Sequence, residues 1–190
     1  MKQIIEKKLI NVALVAVIML SGCTLSLGRS DKDSDEHKLQ YYRQVEPGKP
    51  KVIEYNVAVY GGTPAGVTAA IQASRMGKKA VLLSFNRHVG GLTSGGLTAT
   101  DIGNRESVGG LSLEFYDRIG RIRMFSPTEA ENLYLKMLDE ADVTVLFERC
   151  LKSVVMEDGQ IISITMETNE TIKADMFIDA TYEGDLFAAA

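Results

Sequence analysis

The apolar positions in the first half of the chain predict a strand, a helix and a second strand. The β-branched run IEYNVAVY (residues 53–60) ends in glycines and predicts a buried strand. PAGVTAAIQASRM (residues 64–76) has apolar residues at helical spacing, and KKAVLLSF (residues 78–85) predicts another buried strand. A strand, a glycine turn, a helix and a strand in this order predict a βαβ unit with parallel strands and a right-handed crossover.

The pattern downstream predicts two more helices and a third parallel strand. GGLSLEFYDRIGRI (residues 109–122) is amphipathic throughout. SPTEAENLYLKMLDEA (residues 126–141) begins with a capping box formed by Ser126 and Glu129. VTVLFER (residues 143–149) then predicts the third strand, so the fold class is α/β with a parallel sheet and crossover helices.

The last part of the chain predicts antiparallel strands. Asp158-Gly159 lies between two alternating apolar runs and predicts a hairpin turn. Three short antiparallel strands are expected there, followed by MFIDA (residues 176–180), which returns to the parallel sheet. LFAAA, the final segment, predicts a helix that is still running at Ala190, so we expect the chain to be either a fragment of a longer gene product or a truncated protein.

The amino terminus has the pattern of a targeting signal. Lysines precede the apolar run LINVALVAVIML (residues 9–20), which is shorter than the roughly 20 residues that a bilayer span needs. The run ends in LSGC, which resembles the lipobox of bacterial lipoproteins, in which the cysteine is lipidated. We therefore expect residues 1–22 to be a signal peptide and Cys23 to anchor the protein in the bacterial cell envelope, on the periplasmic or surface side. An ordinary signal peptide or a short anchor is the alternative.

Residues 23–52 are polar and of mixed charge, which predicts a tether, and residues 53–190 are expected to form the folded domain.

The charge and the cysteine content of the chain exclude some functional classes. A net charge of -4 argues against a nucleic-acid partner. The two cysteines, Cys23 and Cys150, make no disulfide framework and no metal-binding pattern.

The segment VYGGTPAGVTAA (residues 59–70) predicts a phosphate-binding turn at a helix amino terminus. Gly61 and Gly66 are the first and last glycines of a GxGxxG pattern, and Thr63 stands where the second is expected. Gly62 lies one position early, and Pro64 suits the first helical turn. The alternative is a tight turn without a ligand.

The end of the second predicted strand leaves the nucleotide open. A carboxylate that binds the adenosine ribose is usual there, but no Asp or Glu occurs between Tyr55 and Thr100. Ser84, Asn86 and Arg87 could donate to ribose oxygens or receive the 2′-phosphate of NADP. FAD and NADP therefore both remain open on the local chemistry.

A second glycine-rich segment, HVGGLTSGGLTATDIGN (residues 88–104), predicts backbone wrapped around a ligand. A flexible surface loop is the alternative. Together with YNVAVYGGTPAGVTAA, GGLSLEFYDRI and FIDATYEGDLFAAA, this segment resembles the FAD-dependent oxidoreductase family of bacterial secreted and periplasmic proteins, which has the glutathione-reductase-like FAD fold. The resemblance covers about residues 53–190.

The resemblance implies that FAD is the cofactor and that the domain is a Rossmann-like FAD/NAD(P)-binding domain with an antiparallel β-meander. It implies three groups of cofactor-binding residues: Gly61, Gly62, Thr63, Pro64, Ala65 and Gly66 at the diphosphate; Gly90, Gly91, Thr93, Ser94, Gly95 and Gly96 toward the flavin; and Ala180, Thr181, Gly184 and Asp185 at the last strand end. Near the adenine it implies Arg149, Cys150 and Leu151. Members commonly have Glu-Pro where this chain has Phe85-Asn86, so Phe85 and Asn86 are candidate cofactor contacts at this position.

Three functional hypotheses follow. The first is a flavin-dependent oxidoreductase that transfers hydride on a small organic or sugar-like substrate, with an unidentified electron acceptor. The others are an NADP-binding domain and a catalytically inert envelope lipoprotein. Single residues stay ambiguous: Asp185 is expected either to bond a ribityl hydroxyl or to cap the last helix, and His88 either to contact the cofactor or to brace its loop. Glu183 is a candidate substrate contact.

Overall fold

The computed structural model describes residues 45–97, 100–101 and 103–190. The predicted signal peptide, Cys23 and most of the predicted tether lie outside the described residues. The strands are β1 (Lys51–Tyr60), β2 (Ala80–Leu83), β3 (Thr144–Leu146), β4 (Leu151–Glu157), β5 (Gln160–Met166) and β6 (Glu170–Asp179). The helices are α1 (Pro64–Arg75), α2 (Gly91–Ser94), α3 (Gly110–Ile119), α4 (Pro127–Glu140) and α5 (Asp185–Ala189), with a 3₁₀ turn at Arg105–Ser107.

The strands form one sheet in the order β3-β2-β1-β6-β5-β4. β3, β2, β1 and β6 run parallel to one another, whereas β5 pairs antiparallel with both β6 and β4. The predicted α/β class with a parallel sheet is confirmed. β6 pairs with β5 through Thr171–Lys173 and with β1 along nearly its whole length, so the third meander strand and the returning strand are one continuous strand.

All of β2 and the last three residues of β1 are buried on both faces of the sheet, as their apolar sequences predict. Val59 and Leu82 pack with α1 and α4 on one face, whereas their neighbours Ala58 and Val81 contribute to a second cluster with Ile164 and other residues of the meander. Successive side chains of a strand point to opposite faces, so a doubly covered strand is apolar at every position.

Local sequence signals set several element ends. The capping box of α4 is formed, with the Ser126 hydroxyl accepting from the Glu129 N–H and the Glu129 carboxylate accepting from the Ser126 N–H. Asp158 and Gly159 both have positive φ, which confirms the hairpin turn between β4 and β5. α3 ends at Ile119, earlier than the amphipathic pattern predicts, because Gly120 is left-handed with φ 74°.

Candidate functional site

The glycine turn between β1 and α1 is packed so closely that its first and last glycines leave no room for a side chain. A Cβ on Gly66 would lie 2.0 Å from the carbonyl oxygen of Gly61. Gly61 has φ 118°, and a Cβ there would lie 2.6 Å from the carbonyl carbon of Ala180 at the end of β6. The first and last glycines of the pattern therefore bring β1, α1 and β6 together at one point.

Thr63 replaces the middle glycine of the pattern and ties the turn to β6. Its backbone is extended, and its hydroxyl accepts a hydrogen bond from the N–H of Gly66 at 3.2 Å. The same hydroxyl donates to the carbonyl oxygen of Ala180 at 2.7 Å. Thr63 is thus the N-cap of α1 and a bridge to a strand more than one hundred positions away.

Backbone N–H groups remain available at this helix end. Pro64 has no N–H, and the N–H groups of Gly66 and Val67 are bonded to Thr63. Within the described part of the chain, the N–H groups of Thr63 and Ala65 have no hydrogen-bond partner. Free donors and the positive end of the helix dipole suit a phosphate, so the residues present fit a dinucleotide diphosphate.

The second glycine segment lies directly on the first. The Gly90 N–H donates to the carbonyl oxygen of Gly62 at 2.7 Å, and Gly90 has φ 96°. A Cβ on Gly91 would lie 2.1 Å from the Tyr182 hydroxyl oxygen, which accepts from the Leu92 N–H at 2.8 Å. The turn at 61–66, the segment at 90–92 and the loop after β6 are therefore linked by hydrogen bonds.

His88 braces this segment. Its Nδ1 lies 2.9 Å from a carboxylate oxygen of Glu131 on α4, and that carboxylate also accepts from the Val89 N–H at 3.3 Å. The Ser94 hydroxyl donates to the carbonyl oxygen of Val89 at 2.5 Å. The bracing hypothesis for His88 fits this geometry, since the imidazole is held at the α4 side of the loop.

The loop after β6 is organised by Asp179, which sequence reasoning missed. One carboxylate oxygen of Asp179 accepts from the Thr181 N–H and hydroxyl at 2.9 and 2.7 Å, and the other accepts from the Phe187 N–H at 2.8 Å. Partial burial raises the pKa of Asp179, but these hydrogen bonds outweigh it and leave the pKa below its usual value. An acidic residue at a strand end, followed by a threonine and a short helix, is the sequence signal for this arrangement.

The capping interpretation of Asp185 is wrong. α5 begins at Asp185 itself, and the N-cap is Gly184 with φ 73°, a conformation that suits glycine. The Asp185 N–H donates to the Thr181 hydroxyl at 2.9 Å. The ribityl contact predicted for Asp185 stays a prediction.

The polar side chains that follow β2 bond to other groups of the protein. Ser84 is fully buried, and its hydroxyl lies within hydrogen-bond distance of the Asn86 side-chain oxygen (2.9 Å) and the His88 carbonyl oxygen (3.0 Å). A Cβ on Gly62 would lie 2.4 Å from this hydroxyl, so Gly62 is needed for contact with β2. Arg87 forms an ion pair with Glu148 at 2.7 Å. The ribose contacts predicted for Ser84, Asn86 and Arg87 stay predictions.

The residues predicted near the adenine lie at the same edge of the sheet. The Leu151 N–H donates to the Tyr60 hydroxyl at 2.9 Å, and burial raises the pKa of Tyr60 to about 12. The Cys150 thiol lies 3.7 Å from the carbonyl oxygen of Phe85. Burial, with the nearby carboxylates of Glu167 and Glu148, raises the pKa of this thiol, which is therefore a poor nucleophile.

A cleft of about 370 Å³ lies beside the amino end of α1. Its walls are hydroxyl-bearing and apolar: Pro64, Ala65, Thr68, Thr93, Leu111, Ser112, Phe115, Tyr116 and Tyr134. Phe115 and Tyr134 stack with ring centroids 4.3 Å apart at the base of this wall. A second cleft of about 440 Å³ is lined partly by Gly91, Ser94, Gly95 and Gly96, which places the predicted flavin-side glycines on an open surface.

Among the described residues, no group of side chains has the composition of a metal site, and no helix is long and apolar enough to cross a membrane. A glycine turn with free N–H groups at a helix amino end, in a parallel sheet joined to an antiparallel meander, defines a dinucleotide-binding domain.

The sequence matches the model of the FAD dependent oxidoreductase family over residues 56–190. The chain belongs to this family, and its cofactor is FAD. A comparison with curated protein sequences yields no match.

Solved structures share the fold at low sequence identity. They include an oxidized steroid monooxygenase bound to NADP, which is 17% identical with a TM-score of 0.53 over 67% of this chain and 26% of that chain. Bacillithiol disulfide reductase from Staphylococcus aureus is 18% identical (TM-score 0.51, 67% and 38% covered), and L-proline dehydrogenase from P. horikoshii is 13% identical (TM-score 0.51, 75% and 55% covered). The chain spans less than two thirds of the length of each of these structures.

Proposed function

We propose that this chain is the FAD-binding part of an oxidoreductase that transfers hydride on a small organic or sugar-like substrate. The observation that carries the proposal is the free N–H donors of Thr63 and Ala65 at the amino end of α1, inside a turn whose glycines admit no side chain. A bound diphosphate satisfies these donors, which otherwise have no partner among the described residues at the positive end of the helix.

The chain's own residues have separate roles in this proposal. The turn at 61–66 holds the diphosphate, and the segments at 90–96 and 180–185 form the edge toward the flavin. FAD, when bound, supplies two-electron chemistry by accepting or donating a hydride. Glu131 fixes His88, so the imidazole contributes to loop position, and no residue is assigned as a general base.

A sugar-like substrate is supported by the part of the cleft beside α1 that the cofactor-binding residues do not form. Its lining there combines the hydroxyl groups of Thr68 and Ser112 with aromatic surface. Hydroxyl groups pair with the hydroxyls of a polyol, and ring faces contact its C–H groups.

The NADP hypothesis is weakened because the two arginines near the end of β2 already form ion pairs within the protein. A 2′-phosphate is recognised by an arginine that is free to bind it. Arg87 is paired with Glu148, and Arg149 is paired with Glu170. Both guanidinium groups therefore already have a carboxylate partner, which favours FAD.

We also propose that a lipid on Cys23 holds the protein at the bacterial cell envelope. The support is the LSGC tetrapeptide after a positively charged start and an apolar run of signal-peptide length. The proposal leaves the electron acceptor unidentified.

The visible spectrum of the purified chain tests the flavin proposal. Bands at about 375 and about 450 nm, with FAD rather than FMN released on denaturation, are expected. Thermal unfolding with added FAD or NADP is the companion measurement, since a ligand of the folded state raises the Tm. Stabilisation by NADP alone supports the NADP hypothesis, and no response to either nucleotide supports the inert lipoprotein.

A further inference from the structure

A third cleft, of about 430 Å³, adjoins the cleft of about 370 Å³ beside α1. This loop cleft is formed by α3 and the loop before it, and it shares Ser112 and Tyr116 with the cleft beside α1. The two residues stand at positions i and i+4 of α3, so they lie on one face of the helix. Each cleft has the volume of a small-molecule site, and one helix face connects the two.

Hydrogen bonds hold the loop before α3 in shape. The Tyr116 hydroxyl donates to the Thr100 hydroxyl oxygen at 3.1 Å, which attaches the loop to α3. The Asn104 side-chain oxygen accepts from the Glu106 N–H at 3.0 Å, and the Ser107 hydroxyl donates to the Asn104 carbonyl oxygen at 2.6 Å. The polar groups that line the loop cleft are therefore held at defined positions.

Some polar groups of the loop cleft are unused by the protein. Within the described part of the chain, the Asp101 carboxylate, the Asn104 amide nitrogen and the Ser112 hydroxyl have no hydrogen-bond partner. A carboxylate only accepts, an amide nitrogen only donates and a hydroxyl does both. Alcohol hydroxyls match all three groups, since they donate and accept.

The charge of the loop cleft favours an uncharged ligand. Its described lining contains Asp101 and no lysine, arginine or histidine. A carboxylate or phosphate group bound there would meet the Asp101 charge without a cation to balance it. The loop cleft therefore suits a neutral, hydroxyl-rich group.

We propose that the substrate is a neutral glycoside of at least two linked sugar units that occupies both clefts. The inference rests on the proposed sugar-like substrate and names its class. One unit lies beside α1, where Pro64 and Ala65 of the phosphate turn form part of the cleft, and this is the unit that reacts. The next unit lies in the loop cleft, where Asp101 accepts from its hydroxyls. Ser112 lies at the junction, so Asp101 is a specificity-determining residue that selects substrates by length.

The test measures sugar binding to the FAD-loaded 190-residue chain by titration with saturation-transfer NMR. The probes are glucose with cellobiose and maltose, mannose with mannobiose, and digalacturonate as a charged disaccharide. At least one neutral disaccharide is expected to bind about tenfold more tightly than its own monosaccharide, as for an added hydrogen bond to a charged group. Both of its rings are expected to receive saturation from the protein.

Asp101→Ala is expected to remove this advantage of about tenfold and to leave the monosaccharide affinity unchanged. The variant should fold and bind FAD normally, because the Asp101 carboxylate has no partner within the described part of the chain. Asp117→Ala is the matched control, since it removes an exposed carboxylate of α3 that belongs to the lining of neither cleft. It should keep the full preference for the disaccharide.

Three results overturn this inference alone: equal affinities within every sugar pair, equal losses of monosaccharide and disaccharide affinity in Asp101→Ala, or digalacturonate binding as tight as that of the best neutral disaccharide. If the FAD-loaded chain binds none of the probes, the proposed sugar-like substrate is wrong as well. A chain that binds no FAD overturns the proposed function itself.

Discussion

The Thr63 hydroxyl donates to the carbonyl oxygen of Ala180 across 2.7 Å and accepts from the N–H of Gly66 at the same time. One side chain thereby caps α1 and attaches it to the end of β6. A glycine at this position, as in the usual pattern, would leave both bonds unmade. The departure from the glycine pattern is therefore a change in how the phosphate turn is held, and the free N–H groups around it remain.

Replacing Thr63 tests this bridge. Thr63→Val keeps the shape but removes both hydrogen bonds, and we expect it to lower the free energy of unfolding by about 1–2 kcal/mol. Urea unfolding followed by circular dichroism measures the change. Thr63→Ser keeps the hydroxyl and serves as the control; a Ser variant as unstable as the Val variant contradicts the assignment.

Gly66 is expected to tolerate no side chain, because a Cβ there would lie 2.0 Å from the Gly61 carbonyl oxygen. Gly66→Ala should weaken FAD binding at least about tenfold and destabilise the fold by about 1–3 kcal/mol. Gly66→Trp should abolish binding. Gly109→Ala is the control, since nothing lies within 4 Å of its Cβ position. Full FAD occupancy in Gly66→Trp argues against the placement of the diphosphate.

Tyr182 links the second glycine segment to the loop after β6 through its bond from the Leu92 N–H. We expect Tyr182→Phe to increase the rate of FAD release about threefold to tenfold, because the segment at 90–92 loses a hydrogen bond that contributes about 1 kcal/mol. Stopped-flow release of FAD measures this rate. Tyr55→Phe removes a hydroxyl from the first half of β1, at the other end of the strand from the glycine turn, and should leave the rate of FAD release unchanged. A similar increase in the Tyr55→Phe protein contradicts a specific role of the Tyr182 hydroxyl.

High pH should destabilise the protein partly through Tyr134. Burial raises the pKa of Tyr134 to about 12 from 10.0, although a hydrogen bond with Thr93 opposes the shift. Since the folded state holds the proton more tightly, this stabilisation is complete below pH 10 and is lost as the pH rises toward 12. We expect Tyr134→Phe to reduce that loss by about 2 kcal/mol, measured as the difference in unfolding free energy between pH 9 and pH 12. If the unfolding free energies of the wild-type and Tyr134→Phe proteins depend on pH in the same way, Tyr134 does not contribute to the loss of stability at high pH.

Lipidation at Cys23 is tested by labelling cells with a radioactive fatty acid and separating membranes. Cys23→Ser should lose the label and leave the membrane fraction, since the apolar run alone is too short to span a bilayer. Cys150→Ser, which alters the other cysteine, should keep the fatty-acid label and remain in the membrane fraction. Label in the Cys23→Ser protein contradicts the lipobox.

The local elements of this protein were readable from its sequence because local chemistry sets them. The glycine turn, the capping box at Ser126 and the hairpin at Asp158-Gly159 each depend on residues within a few positions of one another, and the structure has all three. The apolar strands likewise predicted a doubly covered parallel sheet, since burial on both faces leaves no polar alternation. The resemblance to FAD-dependent oxidoreductases rested on such segments and is confirmed.

Contacts between distant segments were decided only by the tertiary structure. Ala180 lies 117 positions from Thr63, and no periodicity predicts that their atoms meet. The role of Asp179 and the inward orientation of Ser84 depend on which loops the sheet order brings to one edge. The same holds for Glu148, whose carboxylate reaches β2 only because β3 is its neighbour in the sheet. Local sequence determines where turns occur and which segments have helical or strand periodicity. The partner of a polar side chain from a distant segment is determined by the packing of the whole chain.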